Sequence, residues 1–175
     1  SDFHTDYPKT AQEYREVGKN IADDFVDVCA QKCRGQKTTL SVVDLAELEK
    51  TVPSELTSFA KSTNQLIHDQ KYQVVADARY NTREFAVSSK IDQVDLVNLA
   101  ENMKTSEGKE LADAIRGAVK YNRTSNSMTN AYGLSFYLPR NNPNKVDTVV
   151  SINNDIGIDN EYNKCLKALA GVQTT

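Results

Sequence analysis

Apolar residues recur at intervals of three and four over most of this chain, and at intervals of two in only two places. Tyr132, Leu134, Phe136 and Leu138 share one face of an extended segment, with Gly133, Ser135 and Tyr137 on the other. Pro139 ends that ladder because it has no N–H to donate. The run Thr38-Thr-Leu-Ser-Val-Val-Asp44 has the same β-branched character and stops at an acid suited to capping a helix. Strands are therefore predicted around 38–44 and 132–138.

Helical periodicity accounts for most of the remainder. Pro8 suits a first helical turn, and Thr10-Ala-Gln-Glu13 has capping-box spacing. Tyr14, Val17, Ile21, Phe25 and Val28 form the predicted inner stripe of a helix closed by Gly35, with Asp23, Asp24 and Asp27 opposite. Asp44 caps a short helix interrupted at Pro53, which opens a second helix burying Leu56, Phe59, Ala60, Thr63 and Ile67. Val74, Val75 and Ala78 give one or two turns, and 81–90 reads as irregular. Asp92 is expected to cap a helix with Leu96, Val97, Ala100 and Met103 inside. Thr105 or Ser106 starts another, with Leu111, Ile115, Ala118 and Val119 inside, and 122–130 is a polar loop. Val146, Val149 and Val150 favour helix over strand. Asp159 caps a last helix with Tyr162, Cys165, Leu166 and Leu169 on one face.

This order predicts an α/β fold with a helical insertion, about 53–121, between the two strands. Two strands make a marginal sheet, since sheets hold about four to six. Burying Leu40, Val42, Val43, Leu134, Phe136 and Leu138 would contribute roughly 2 kcal/mol each, ~12 in all, as much as a typical domain's net stability. Strands this apolar belong in a wider sheet, with neighbours that this chain does not supply.

The 175 residues fit one domain or a large piece of one. A formal net charge of -3, without a Lys/Arg cluster, argues against nucleic-acid binding. No apolar run approaches the ~20 residues of a membrane span. The chain opens Ser-Asp-Phe-His, without Met or a signal-peptide core, so Ser1 is expected to be a processed end or an arbitrary boundary.

Three cysteines cannot all pair within the chain. Cys29 and Cys33 lie one helical turn apart, but a zinc site would need further ligands, and His4 and His68 are the only histidines. Asp27-Val-Cys29 superficially matches an Asp-x-Cys nucleophile turn. Its place near a helix C-terminus, beside three aspartates, disfavours a thiolate, so structural thiols are expected. His68-Asp69 reads as a solvated helix end, and Asp23, Asp24 and Asp27 as a solvated face rather than a calcium loop. Ser135 has no nucleophile elbow around it. Asn122-Arg-Thr124 has the form of a glycosylation sequon, a triplet common by chance. Asp44 ends a strand, where α/β sheets place ligands, and is the one candidate substrate-binding residue, although capping also explains it.

Several segments together resemble the clostripain-like cysteine peptidases. They are Thr39-Leu-Ser-Val-Val-Asp-Leu45, Ala78-Arg79, Asn81-Thr-Arg-Glu-Phe85, Ile91-Asp92, Asp95-Leu-Val97 and Ala118-Val-Lys-Tyr-Asn-Arg-Thr124. Gly133-Leu-Ser-Phe-Tyr-Leu-Pro139, Gly157-Ile-Asp159, Glu161-Tyr162 and Lys164-Cys165 complete the ordered set. The resemblance implies a caspase-like αβα sandwich and an endopeptidase cleaving after Arg or Lys, from a family that is bacterial and usually exported. It implies calcium as a possible cofactor and a light-chain partner. The family's catalytic His and Asp-x-Cys precede the region resembled, so no catalytic residue is assigned here. This chain is expected to be the C-terminal scaffold of such an enzyme, inactive alone, with the N-terminal portion and a peptide substrate as partners. The alternative is a non-catalytic binding domain of the same fold.

Overall fold

A computed structural model describes residues 10–173. In chain order the elements are α1 (Ala11–Lys32), β1 (Thr39–Val43), α2 (Leu45–His68), α3 (Tyr72–Tyr80), β2 (Glu84–Phe85) and β3 (Gln93–Asp95). They continue with α4 (Leu96–Asn102), α5 (Ser106–Ala118), β4 (Val119–Thr124), β5 (Ser135–Tyr137), α6 (Val146–Asp155) and α7 (Asn160–Gln173). The protein is mixed α/β and helix-rich, with two small antiparallel sheets, β1–β4 and β2–β3–β5. The expectations for His4 and Pro8 lie outside the described residues.

The two strands read from the sequence are present, but shorter and in different sheets. The second shrinks to Ser135–Tyr137 because Gly133, at φ +111°, turns the chain just before it. Three strands were not foreseen. β4 starts directly where α5 ends, and its Lys120, Asn122 and Arg123 disguise the alternation. β2 and β3 span only two and three residues, below any periodic signal.

α2 runs unbroken through Pro53, against the interruption expected there. A proline in a helix interior removes one hydrogen bond and crowds the carbonyl four residues earlier, together costing about 3 kcal/mol. Burying Val52, Phe59, Ala60 and Thr63 along one continuous stripe offsets that, because each large apolar side chain contributes about 2 kcal/mol. The core lies between α2, α4, α5 and α7, with Leu99, Leu111, Ile115 and Leu166 fully enclosed. Phe136 of β5 stacks on Tyr162 of α7 at 4.9 Å, and the Tyr162 hydroxyl donates to the Tyr137 carbonyl at 2.6 Å.

The seating of α1 is the main correction. Tyr14, Val17, Ile21, Phe25 and Val28, the expected inner stripe, are exposed by 43–59%. The helix instead lays Gly18, Ala22 and Val26, four residues apart, on the β1–β4 sheet. A Cβ on Gly18 would stand 2.8 Å from a Val42 methyl, so the small residue sets how closely helix and strand approach. The other flank is tied to β4, where Asp23 accepts from the Tyr121 hydroxyl and Arg123 bridges Asp23 and Asp27 at 2.6 and 2.8 Å. Close backbone approach and ion pairs outrank the apolar stripe in fixing this helix.

Candidate functional site

Asp44 caps α2. Its Oδ1 accepts from the Glu47 N–H at 3.0 Å, and its Oδ2 meets Arg15 Nη2 at 3.0 Å. The Glu47 bond first, then Arg15, hold its carboxyl below the usual range. Both oxygens are engaged in joining α1 to α2.

The three thiols lie apart from any imidazole among the described residues. Cys29 and Cys33 end α1, where partial burial and the neighbouring Cys33 raise the Cys29 thiol. Cys165 is buried in the core and pushed up to about 12 by burial. The His68 side chain is 84% exposed and meets Asp69 at 3.4 Å. Asp23 and Asp27 hold Arg123, and among the described residues no group of acids, histidines and cysteines could hold a metal ion. No helix among them is long and apolar enough to cross a membrane.

A depression of about 490 Å³ lies beside α3, between Tyr72, Tyr80, Arg79 and Arg140. Its two guanidinium groups share one carboxylate, and Arg79 Nη2 is left buried without a hydrogen bond. Arg79 pairs with Glu84 at 3.1 Å, and Arg140 lies 3.7 Å from the same carboxylate, its guanidinium over the Tyr80 ring. No Cys, Ser, Thr or His lines it.

The second depression, about 370 Å³, runs along β1 and is the better candidate. Thr39, Ser41 and Val43 form one wall, with Phe85, Asp95, Gly133, Leu134 and Ser135 opposite. The two sides are pinned together, because Ser41 Oγ donates to Asn122 Oδ1 at 2.7 Å and Asn122 Nδ2 donates to the Ala131 carbonyl at 2.7 Å. A Cβ on Gly133 would lie 3.0 Å from Ser41 Oγ, so a side chain there would crowd β1.

Asp95 was missed by the sequence reading, which gave Asp92 the capping role. Asp95 caps α4 by accepting from the Asn98 N–H at 2.9 Å, and its other oxygen accepts from the Tyr132 N–H at 2.6 Å. It is fully buried with no cation in contact among the described residues, and burial pushes its carboxyl above the usual range.

Asp92 instead takes φ 56° and gathers the loop after β5. It accepts from the backbone N–H groups of Arg140, Asn141 and Asn142 at 3.1, 3.0 and 2.8 Å, and from Asn141 Nδ2 at 2.7 Å. Burial alone would raise this carboxyl, but those donors outweigh it and hold it below the ordinary value.

The two buried acids should therefore titrate in opposite senses. Asp92, depressed, contributes stability that is present above its unfolded value near ~3.9 and lost as pH falls through the folded value. Asp95, raised, contributes stability that is present below that value and lost as pH rises through its folded one. Carboxyl carbon NMR should place the Asp95 midpoint above, and the Asp92 midpoint below, the ~3.9 of an aspartate in an unfolded chain. Coincident midpoints would refute the assignment. The only sequence signal for Asp95 is an acid before Leu-Val that competes with Asp92 three residues earlier. The chain matches no protein-family model, no curated protein and no solved structure.

Proposed function

We propose that this chain is the scaffold portion of a cysteine endopeptidase of clostripain type, with a caspase-like sandwich completed by polypeptide that also brings the catalytic Cys and His. The observation that carries the reading is β1. It is an apolar, β-branched strand paired on one side only among the described residues, and it ends in a helix cap as the resemblance requires. The thiols that are described sit where a nucleophile would be disfavoured: two at a helix C-terminus, one raised by burial. In the assembled enzyme the missing thiolate attacks the peptide carbonyl, the missing imidazole protonates the leaving amine, and this chain walls the cleft.

The 175-residue chain alone should hydrolyse no Arg-containing fluorogenic peptide. Joined to the polypeptide encoded directly upstream of Ser1, it should do so, and alkylation of an upstream Asp-x-Cys cysteine should end turnover. Turnover by the chain alone that Cys29→Ala abolishes would overturn the proposal. An upstream sequence lacking both the His-Gly and Asp-x-Cys segments would favour the non-catalytic binding domain.

A further inference from the structure

We infer that the side of β1 left unpaired among the described residues is a docking slot for an extended strand of another polypeptide, covered on one face by the apolar flank of α1. Three observations converge. First, the ladder alternates. Ser125 N–H donates to the Thr38 carbonyl at 2.8 Å, and Asp44 N–H donates to that of Ala118 at 2.8 Å. Even-numbered residues of β1 therefore aim their backbone groups at β4, and Thr39, Ser41 and Val43 aim theirs outward. Those three line the groove, with Leu40 beside them.

Second, the helix overhangs that side. Gly18, Ala22 and Val26 face the sheet, while Lys19, Asp23 and Asp27 reach toward Tyr121 and Arg123 of β4. At 100° per residue, Tyr14, Val17, Ile21, Phe25 and Val28 occupy the opposite flank, above the space beyond β1. An exposed apolar stripe of this length needs a cover.

Third, the far wall fixes the chemistry of the occupant. It combines Phe85 and Leu134 with Ser135 and Gly133. A strand pairing with β1 would turn alternate side chains up to α1 and down to this wall. The partner is therefore a strand with large apolar residues on one face and small or hydrogen-bond-donating residues on the other. Main-chain hydrogen bonds hold it, and the α1 flank selects it. The peptidase reading bears on where the strand comes from and not on the slot itself.

The test uses a blocked peptide, acetyl-Lys-Val-Ser-Ile-Ala-Val-Lys-amide, with a version N-methylated at alternate residues to prevent pairing. In the free chain the Thr39, Ser41 and Val43 amides should exchange quickly. The plain peptide should slow them at least tenfold and shift Ile21 and Phe25 signals, and the methylated one should not. Ile21→Lys, at an exposed position, should leave the melting temperature unchanged and weaken binding at least tenfold. Slow exchange of the three amides in the free chain, no binding at millimolar peptide, or binding indifferent to Ile21→Lys would each overturn the slot. So would sedimentation showing a dimer that protects the same amides, since the occupant would then be a second copy. None of these outcomes bears on whether upstream polypeptide carries a Cys and a His, and failure of the hydrolysis test leaves the slot standing.

Discussion

Asp92→Ala should lower stability by about 3–5 kcal/mol, the cost of removing one partner from a buried charged network. At roughly 2–4 °C per kcal/mol for a chain of this size, the melting temperature should fall by about 6–20 °C. Three backbone N–H groups between Arg140 and Asn142 lose their acceptor at once, and Asn141 Nδ2 keeps only Glu84, at 3.3 Å. Arg79 suffers as well. Its Nε donates to the Leu138 carbonyl at 3.2 Å and its Nη1 to Glu84, while its Nη2, buried without a hydrogen bond, lies 3.8 Å from Asp92. Asp92→Asn separates charge from geometry, since it tolerates the left-handed backbone and keeps one carbonyl acceptor. It should lose less than Asp92→Ala but more than an exposed control such as Asp113→Asn. Thermal melts of the three variants decide the matter, and an Asp92→Ala melt within 2 °C of the parent would show that the network carries little.

Gly108→Ala should cost about 3 kcal/mol, although it is a change that normally strengthens a helix. Alanine exceeds glycine by ~1 kcal/mol in an exposed helix interior. Here a Cβ would stand 2.2 Å from the Ala100 carbonyl oxygen, a backbone atom that no rotamer change can move. The crossing of α4 and α5 would have to open, and Leu111, Ala112 and Ala100 beside it are buried to within 1% of complete. Overpacking costs 1–3 kcal/mol or more in such settings. Gly171→Ala, in α7 with nothing within 4 Å of a new Cβ, is the matched control and should be neutral or slightly stabilising. Equal effects at the two positions in chemical denaturation would contradict the close crossing.

The helices were legible because their inner faces repeat at the helical period over two turns or more. Leu96, Val97, Ala100 and Met103, and again Tyr162, Cys165, Leu166 and Leu169, are buried as that spacing requires. The Thr10–Glu13 capping box and the cap at Asp44 were legible too, since they depend on residues three apart, whereas the choice between Thr105 and Ser106 was left open and Thr105 is the cap. What could not be read were the places where distant segments decide. α1 turned its small face inward because Val42, Tyr121 and Arg123 were waiting there, none of them visible from within the helix. Asp92 and Asp95 are both acids ahead of one helix, and only the arrival of Arg140 to Asn142 sends the first to a loop and leaves the second to cap. The groove beside β1 joins residues some ninety positions apart, from Ser41 to Gly133. A pattern confined to one strand cannot announce its neighbour.

Ala86, Lys90 and Asp92 all take left-handed backbone, at φ 48°, 49° and 56°, within one short hairpin. Each costs of order 1 kcal/mol for a side chain other than glycine. The β2–β3 ribbon therefore has little reason to form by itself, and nearly fifty residues of chain separate it from the donors that hold Asp92 in place. Folding is expected to begin elsewhere, among the locally contacting helices α4 and α5, with this ribbon closing after the 138–142 segment returns. Hydrogen exchange would then see the ribbon and that segment open together as one late-forming unit.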